Sequence, residues 1–280
     1  MKKILLPTDF SDNSWNAISY ALHLFENENC TFYILNTYTP VIYHIEYVLV
    51  NPAQFGMGDP IRENALRCLD ILSQKIKDNF NNPKHKFESI AAFNTLIPEI
   101  REIVKDKNID MVVMGTKGAT GAKEVLFGSN TVHVFKTVDC PILAIPDNFH
   151  FEAPLEILFP TDYEVDYSDD QLMHLIALAT FYHARINVMH VYHGKELSLK
   201  QEQRKQKLEV YLKPVAHLFH KINNENIPEA ISNFQTKSNI NFLVMINNKH
   251  SFFENLFFRP TINQIGFHLN IPFLVVPSKA

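Results

Sequence analysis

Four of the chain's 8 glycines, Gly115, Gly118, Gly121 and Gly128, fall within fourteen residues, and Ser129 follows Gly128 directly. The wholly apolar run Met111–Met114 precedes them, and a helical pattern through Val132, Phe135 and Lys136 follows. Strand, glycine loop and helix start together suit the holding of phosphates. Glycine lets backbone N–H groups come close to an anion, and a helix N-terminus adds unpaired donors and a positive dipole end. The hydroxyls of Ser129 and Thr131 add further donors. A plain surface loop closing an αβ unit is the alternative. The spacing is neither GxxxxGK[ST] nor a compact GxGxxG.

Other chemical groupings carry less. Asp162, Glu164, Asp166, Asp169 and Asp170 resemble a cation loop but lack the Asp-x-Asp-x-Asp-Gly order, and read as a solvated helix start. His183, His190 and His193 lack zincin spacing and read as structural. No G-x-S-x-G elbow occurs. Cys30, Cys68 and Cys140 are odd in number and far apart, fitting neither a disulfide framework nor a zinc pattern, and point to a reducing cytoplasm. A net charge of −4 argues against a nucleic-acid binder. Pro7-Thr8-Asp9 ends the apolar run Ile4–Leu6 too early for a signal peptide. No stretch approaches the roughly 18 apolar residues of a membrane helix.

The elements that must position the glycine loop occur twice. Lys3–Pro7 (KILLP) followed by Thr8-Asp9 returns as Glu156–Pro160 (EILFP) followed by Thr161-Asp162, an offset of 160 − 7 = 153. Second strands are expected at 31–37 and 185–191, third at 87–93 and 215–222, fourth at 111–114 and 242–246, and fifth at 142–145 and 273–276. Ser11 or Ser14, and Ser168, are placed to cap the first helix of each copy. Ile97-Pro98-Glu99 and Ile227-Pro228-Glu229 open helices at an offset of 227 − 97 = 130. The fall in offset puts an insertion near 38–62 of the first copy, before a helix expected at 63–80 whose counterpart is 196–212. Such β-α alternation calls for a parallel sheet covered by helices on both faces. The expectation is an α/β protein of two tandem doubly wound, five-stranded domains, 1–147 and 153–280. Their fifth strands would otherwise be bare edges, so they should pair with each other about a pseudo-twofold axis.

Gly115-x-x-Gly118-x(9)-Gly128-Ser129, the Pro-Thr-Asp at the first strand's end and the order of elements resemble the universal stress protein family, over essentially the whole chain. The resemblance implies ATP or another adenine nucleotide, with Mg²⁺ accompanying the phosphates, bound by the first copy. Pro7, Thr8, Asp9 and Thr37 would flank the adenine, and Met114 and Gly115 the ribose. Gly118, Gly128, Ser129, Asn130 and Thr131 would receive the phosphates. On residue type alone, Asp9 reads first as a helix N-cap or as first-turn dipole compensation, and the resemblance turns it toward the adenine. The resemblance further implies a cytoplasmic regulatory protein and leaves room for a homodimer; the loop shows no base or arginine finger, so at most slow ATP hydrolysis is expected, and charge and hydropathy lead to no expectation of nucleic-acid or membrane partners. An interaction scaffold is the rival reading. In the second copy the glycine positions are expected to fall on Asn247, His250 and Pro260, with Thr261 at the hydroxyl, so that copy should not hold phosphates. Its Phe-rich spacer 251–259 suggests a packed surface.

Overall fold

A computed structural model describes residues 1–39, 58–116, 128–192, 194–223, 226–247 and 270–278. In the first half, β1 (Lys2–Pro7), α1 (Asp12–Leu24), β2 (Cys30–Tyr38), α2 (Gly58–Asn79) and β3 (His85–Phe93) lead to α3 (Leu96–Lys107), β4 (Met111–Gly115), α4 (Ser129–Thr137) and β5 (Ile142–Ile145). The second half runs through β6 (Glu156–Pro160), α5 (Asp169–Tyr182), β7 (Arg185–Tyr192), α6 (Leu199–Leu212) and β8 (His217–Asn223). It ends with α7 (Ile227–Lys237), β9 (Phe242–Asn247) and β10 (Phe273–Pro277).

All ten strands form one sheet in the order β3-β2-β1-β4-β5-β10-β9-β6-β7-β8. Read outward from the middle, the two halves have the same strand order. Pairing is parallel within each half, and the single antiparallel junction joins β5 to β10, with Leu143 opposite Leu274. The expected seam is therefore present, and both of its strands are buried. Alternation along the strands sorts the core into two layers. Ile4 and Leu6 face the layer containing α1, α2, α5 and α6, whereas Leu5 faces the layer containing α3, α4 and α7. Each fully buried Leu or Ile contributes about 2 kcal/mol of apolar burial.

Two helix boundaries differ from expectation. α2 starts at Gly58 rather than near residue 63, because Pro60 falls in its first turn, where the missing N–H costs nothing. α6 starts at Leu199 rather than 196, because Ser198 and Gln201 form a reciprocal cap. Most of the 38–62 insertion lies outside the described residues.

Candidate functional site

The rim of the first half begins at the tight turn after β1. Pro7 and Thr8 are buried there, and Thr8 N–H donates to the Leu35 carbonyl at 2.8 Å, extending the β1–β2 ladder by one step. Asn36 Nδ2 donates to the Thr8 carbonyl at 2.9 Å, and the Thr8 and Ser14 hydroxyls lie 3.0 Å apart. Phe10 takes a left-handed φ of 63°, unfavourable for an aromatic residue. Its N–H is held by Thr8 Oγ1 at 3.0 Å. Asp9 is exposed, and its Oδ1 accepts from Ser11 N–H at 3.1 Å and from the Ser11 hydroxyl at 2.5 Å. The capping residue of α1 is Ser11 itself, which accepts from Ser14 N–H. Asp9 thus steadies the start of α1 while keeping a carboxylate at the rim.

Thr37 is half-buried at the end of β2, and Met114 and Gly115 end β4. A Cβ on Gly115 would stand 2.7 Å from Asn13 Nδ2, so a larger residue there would require the Asn13 side chain to move. Thr131 is buried, and its hydroxyl donates to the Gly115 and Thr116 carbonyls at 3.2 and 3.4 Å. Gly128 N–H donates to the Thr116 carbonyl at 2.6 Å. These bonds hinge α4 onto the end of β4. They also correct two expectations: the Thr131 hydroxyl and the Gly128 N–H serve the chain itself rather than a ligand. The remaining donors are the first-turn N–H groups of Ser129, Asn130 and Thr131, which have no intrahelical acceptor. Ser129 and Asn130 are exposed. Gly118 lies outside the described residues.

The start of α4 differs from the others. α1, α3, α5, α6 and α7 each carry a carboxylate in the first turn, namely Asp12, Glu99, Asp169 with Asp170, Glu202 and Glu229. α4 has none, and Gly128 at its cap brings no side-chain acceptor. Among the described residues its first turn therefore brings no charge to compensate the dipole.

Residues 1–146 match the family described as the universal stress protein family. The chain belongs to the universal stress protein family. Among relatives, universal stress protein MJ0577 of Methanocaldococcus jannaschii is 28% identical over 154 residues, covering 51% of this chain and 94% of its own length. Universal stress protein YxiE of Bacillus subtilis is 24% identical over 153 residues, covering 51% of this chain and 97% of its own. A universal stress protein structure from Archaeoglobus fulgidus superposes on 98% of this chain and 96% of its own, with a TM-score of 0.69 at 18% identity. That likeness extends the fold through both halves.

In the second half the same scaffold carries a different rim. Thr161 again bonds the N–H of a left-handed aromatic, Tyr163 (φ 56°), at 3.0 Å. His190 Nδ1 takes the place of the Asn36 amide, 3.0 Å from the Thr161 carbonyl. Tyr167 stands where Ser14 does, its hydroxyl 2.6 Å from Thr161 Oγ1. Ladder register corrects the expected alignment by one residue. Ile4 pairs with Met111 and Ile157 with Phe242, so the counterpart of Gly115 is Ile246, not Asn247. At the same offset of 246 − 115 = 131, the counterparts of Gly118, Gly128 and Ser129 in the sequence are Lys249, Arg259 and Pro260. Asn247, now matched to Thr116, donates its amide to the Phe135 carbonyl of α4 at 2.7 Å and belongs to the junction between halves.

The remaining groupings resolve as structure. Glu164 pairs with Arg204 at 3.0 Å and Asp166 with Lys207 at 2.8 Å, so two members of the acidic run clamp α6. His183 caps α5 in a left-handed conformation, apart from the role of His190. Burial pushes the Cys30 thiol up to about 11 and the Cys140 thiol up to about 12, which disfavours thiolate chemistry at either.

Proposed function

We propose that the first half binds ATP or another adenine nucleotide as a regulatory ligand. The observation that carries this reading is the start of α4, which has no side-chain cap bond and no carboxylate in its first turn, hinged beside Gly115, where a Cβ would press on Asn13. Family membership of residues 1–146 and the Gly-x-x-Gly-x(9)-Gly-Ser spacing support it. Adenine is assigned to the rim at Pro7, Thr8, Asp9 and Thr37, and ribose to Met114 and Gly115. The phosphates are assigned to the N–H groups of Ser129, Asn130 and Thr131 and to the loop at Gly118. Gly128 contributes by lacking a side chain where the phosphates approach.

Among the described residues no cluster of three His, Cys, Asp or Glu side chains is placed to hold a metal ion. Mg²⁺ is accordingly assigned to the phosphate oxygens and water, which suits a cation that dehydrates reluctantly. Among the described residues the site offers donors to ground-state phosphates and no evident base or arginine finger, a set that favours holding ATP over splitting it. The cytoplasm is the compartment that suits the free, buried Cys30 and Cys140. No helix among the described residues is long and apolar enough to cross a membrane.

Mass spectrometry of the small molecules released on denaturing freshly purified protein tests the reading. An adenine nucleotide near equimolar with the chain is expected. Empty protein that also gives no heat with ATP and Mg²⁺ would favour the scaffold reading instead.

A further inference from the structure

A cavity of about 270 Å³ lies over the seam between the halves, between α1 and α5 on one face of the sheet. Leu143 and Leu274, opposite each other in the antiparallel junction, line it, as do Met111 and Phe242. These are counterparts in the two halves at one offset, 242 − 111 = 131 and 274 − 143 = 131, so the cavity sits on the pseudo-twofold axis. Lys2, Met111 and Phe242 are the first residues of β1, β4 and β9, which keeps it away from the rims at the carboxyl ends of these strands. Tyr182 ties the two helices together by donating its hydroxyl to the Leu24 carbonyl at 2.7 Å, so the chain itself holds the gap open.

Four aromatic side chains, Phe25, Phe181, Tyr182 and Phe242, share the lining with the Met111 thioether. Such rings accept another ring edge-to-face or offset-stacked, and a thioether favours a ring edge. The charged groups cancel. Lys2 Nζ lies 2.7 Å from Glu28 Oε2 and 5.2 Å from the Phe25 ring centroid. The Tyr182 hydroxyl is taken by Leu24, which leaves His174 as the uncommitted polar group. Its half-buried imidazole makes no hydrogen bond among the described residues. Burial, and then the Lys2 charge, hold that imidazole below its ordinary pKa, so near neutrality it carries one N–H and one open acceptor nitrogen. A charged ligand would lose its hydration here and meet no unpaired counter-charge. A cavity of about 150 Å³ holds benzene, so about 270 Å³ suits two fused rings.

We propose that the seam cavity binds an uncharged, flat bicyclic aromatic molecule carrying one N–H or O–H donor, of which indole is the simplest case. The rings lie among Phe25, Phe181, Phe242 and Met111, and the donor goes to the open acceptor nitrogen of His174. Because Leu143 belongs to one half and Leu274 to the other, a ligand there touches both halves at once. The site is separate from the one assigned to the nucleotide and does not depend on it.

Indole is the probe, titrated into the full-length protein and followed by NMR at the His174 imidazole and Met111 methyl resonances. One indole per chain is expected. Ala177→Trp, which fills the cavity from an exposed position on α5, should weaken indole by at least about tenfold, or 1.4 kcal/mol. Leu178→Trp provides the same block if Ala177→Trp does not fold. His174→Leu keeps the bulk and removes the acceptor. It should weaken indole about fivefold but 1-methylindole, which has no N–H, by less than about twofold. Four results would each overturn the proposal: no indole binding up to its solubility limit, binding that both tryptophan substitutions leave unchanged, an equal loss of indole and 1-methylindole in His174→Leu, or tighter binding of the anion indole-3-acetate than of indole.

Discussion

The two rims share a turn and diverge in what they leave open. Each has a threonine hydroxyl holding the N–H of a left-handed aromatic, and each has a second-strand side chain 2.9 or 3.0 Å from the threonine carbonyl. In the first half the residues around that turn are small or polar: Asn13, Ser14, Asn36 and Gly115. Their counterparts in the second half include the bulkier Tyr167, His190 and Ile246. Phe10 is 38% exposed, whereas Tyr163 is 2% exposed and packs 5.1 Å from His190. The same backbone scaffold therefore carries small or polar side chains around the turn in one half and larger ones in the other.

The comparison breaks most visibly if the second rim can be emptied. Ile246→Gly removes a buried side chain, and the cavity it leaves should destabilise the protein by about 4 kcal/mol in denaturant titrations. It should create no ATP site, because Tyr167 still fills the floor and Pro260 offers no N–H. Appearance of a second ATP equivalent would mean that one bulky position alone separates the halves. On the first rim, Gly128→Val should reduce ATP affinity by about 100-fold, or 2.7 kcal/mol, measured by calorimetry. Gly128 has φ −59° and ψ 154°, open to any residue, so the melting temperature should hardly change. Binding unaltered by Gly128→Val would place the ligand elsewhere.

Smaller effects sharpen the contrast. Asp9→Asn preserves an acceptor for Ser11 N–H but removes the charge, and should weaken ATP by about tenfold. The Lys207 ammonium holds the Asp166 carboxyl below its usual range, chiefly through their hydrogen bond and then through its charge. A depressed folded-state pKa stabilises above the unfolded value, and that stability is lost as pH falls through the folded value. Both groups are largely exposed, so Lys207→Met should cost only about 0.5 kcal/mol near neutrality. The difference should vanish in melts taken at the acid end of a pH series. A difference that persisted there would mean that Lys207 acts by packing.

Much of this was legible in the chain. The repeated Ile-Leu-x-Pro-Thr-Asp units, the paired Ile-Pro-Glu helix starts and the two fifth strands displayed the duplication and the seam between halves. The hydrophobic strands are buried on both faces, and their composition says so. Their register was not legible, because Met111–Met114 and Phe242–Ile246 are uniform apolar runs with no internal mark. Only pairing with Ile4 and Ile157 shows that Ile246 replaces Gly115. The glycine cluster marked the carboxyl end of β4, but the hinge bonds of Gly128 and Thr131 depend on how the chain returns to that end. Asn13 went unremarked, since its importance comes from lying against Gly115 across the α1–β4 contact. The seam cavity also escaped notice, because its lining is assembled from both halves.

The central claim is that one chain holds one adenine nucleotide, in its first half. Calorimetry of the full-length protein with ATP and Mg²⁺, beside Gly128→Val and, at the second-half rim, Leu197→Trp, tests it most directly. The account predicts about one ATP per chain in the wild type, the same stoichiometry in Leu197→Trp, and an affinity about 100-fold lower in Gly128→Val. Two equivalent ATP sites per chain, or a single site abolished by Leu197→Trp and spared by Gly128→Val, would contradict it.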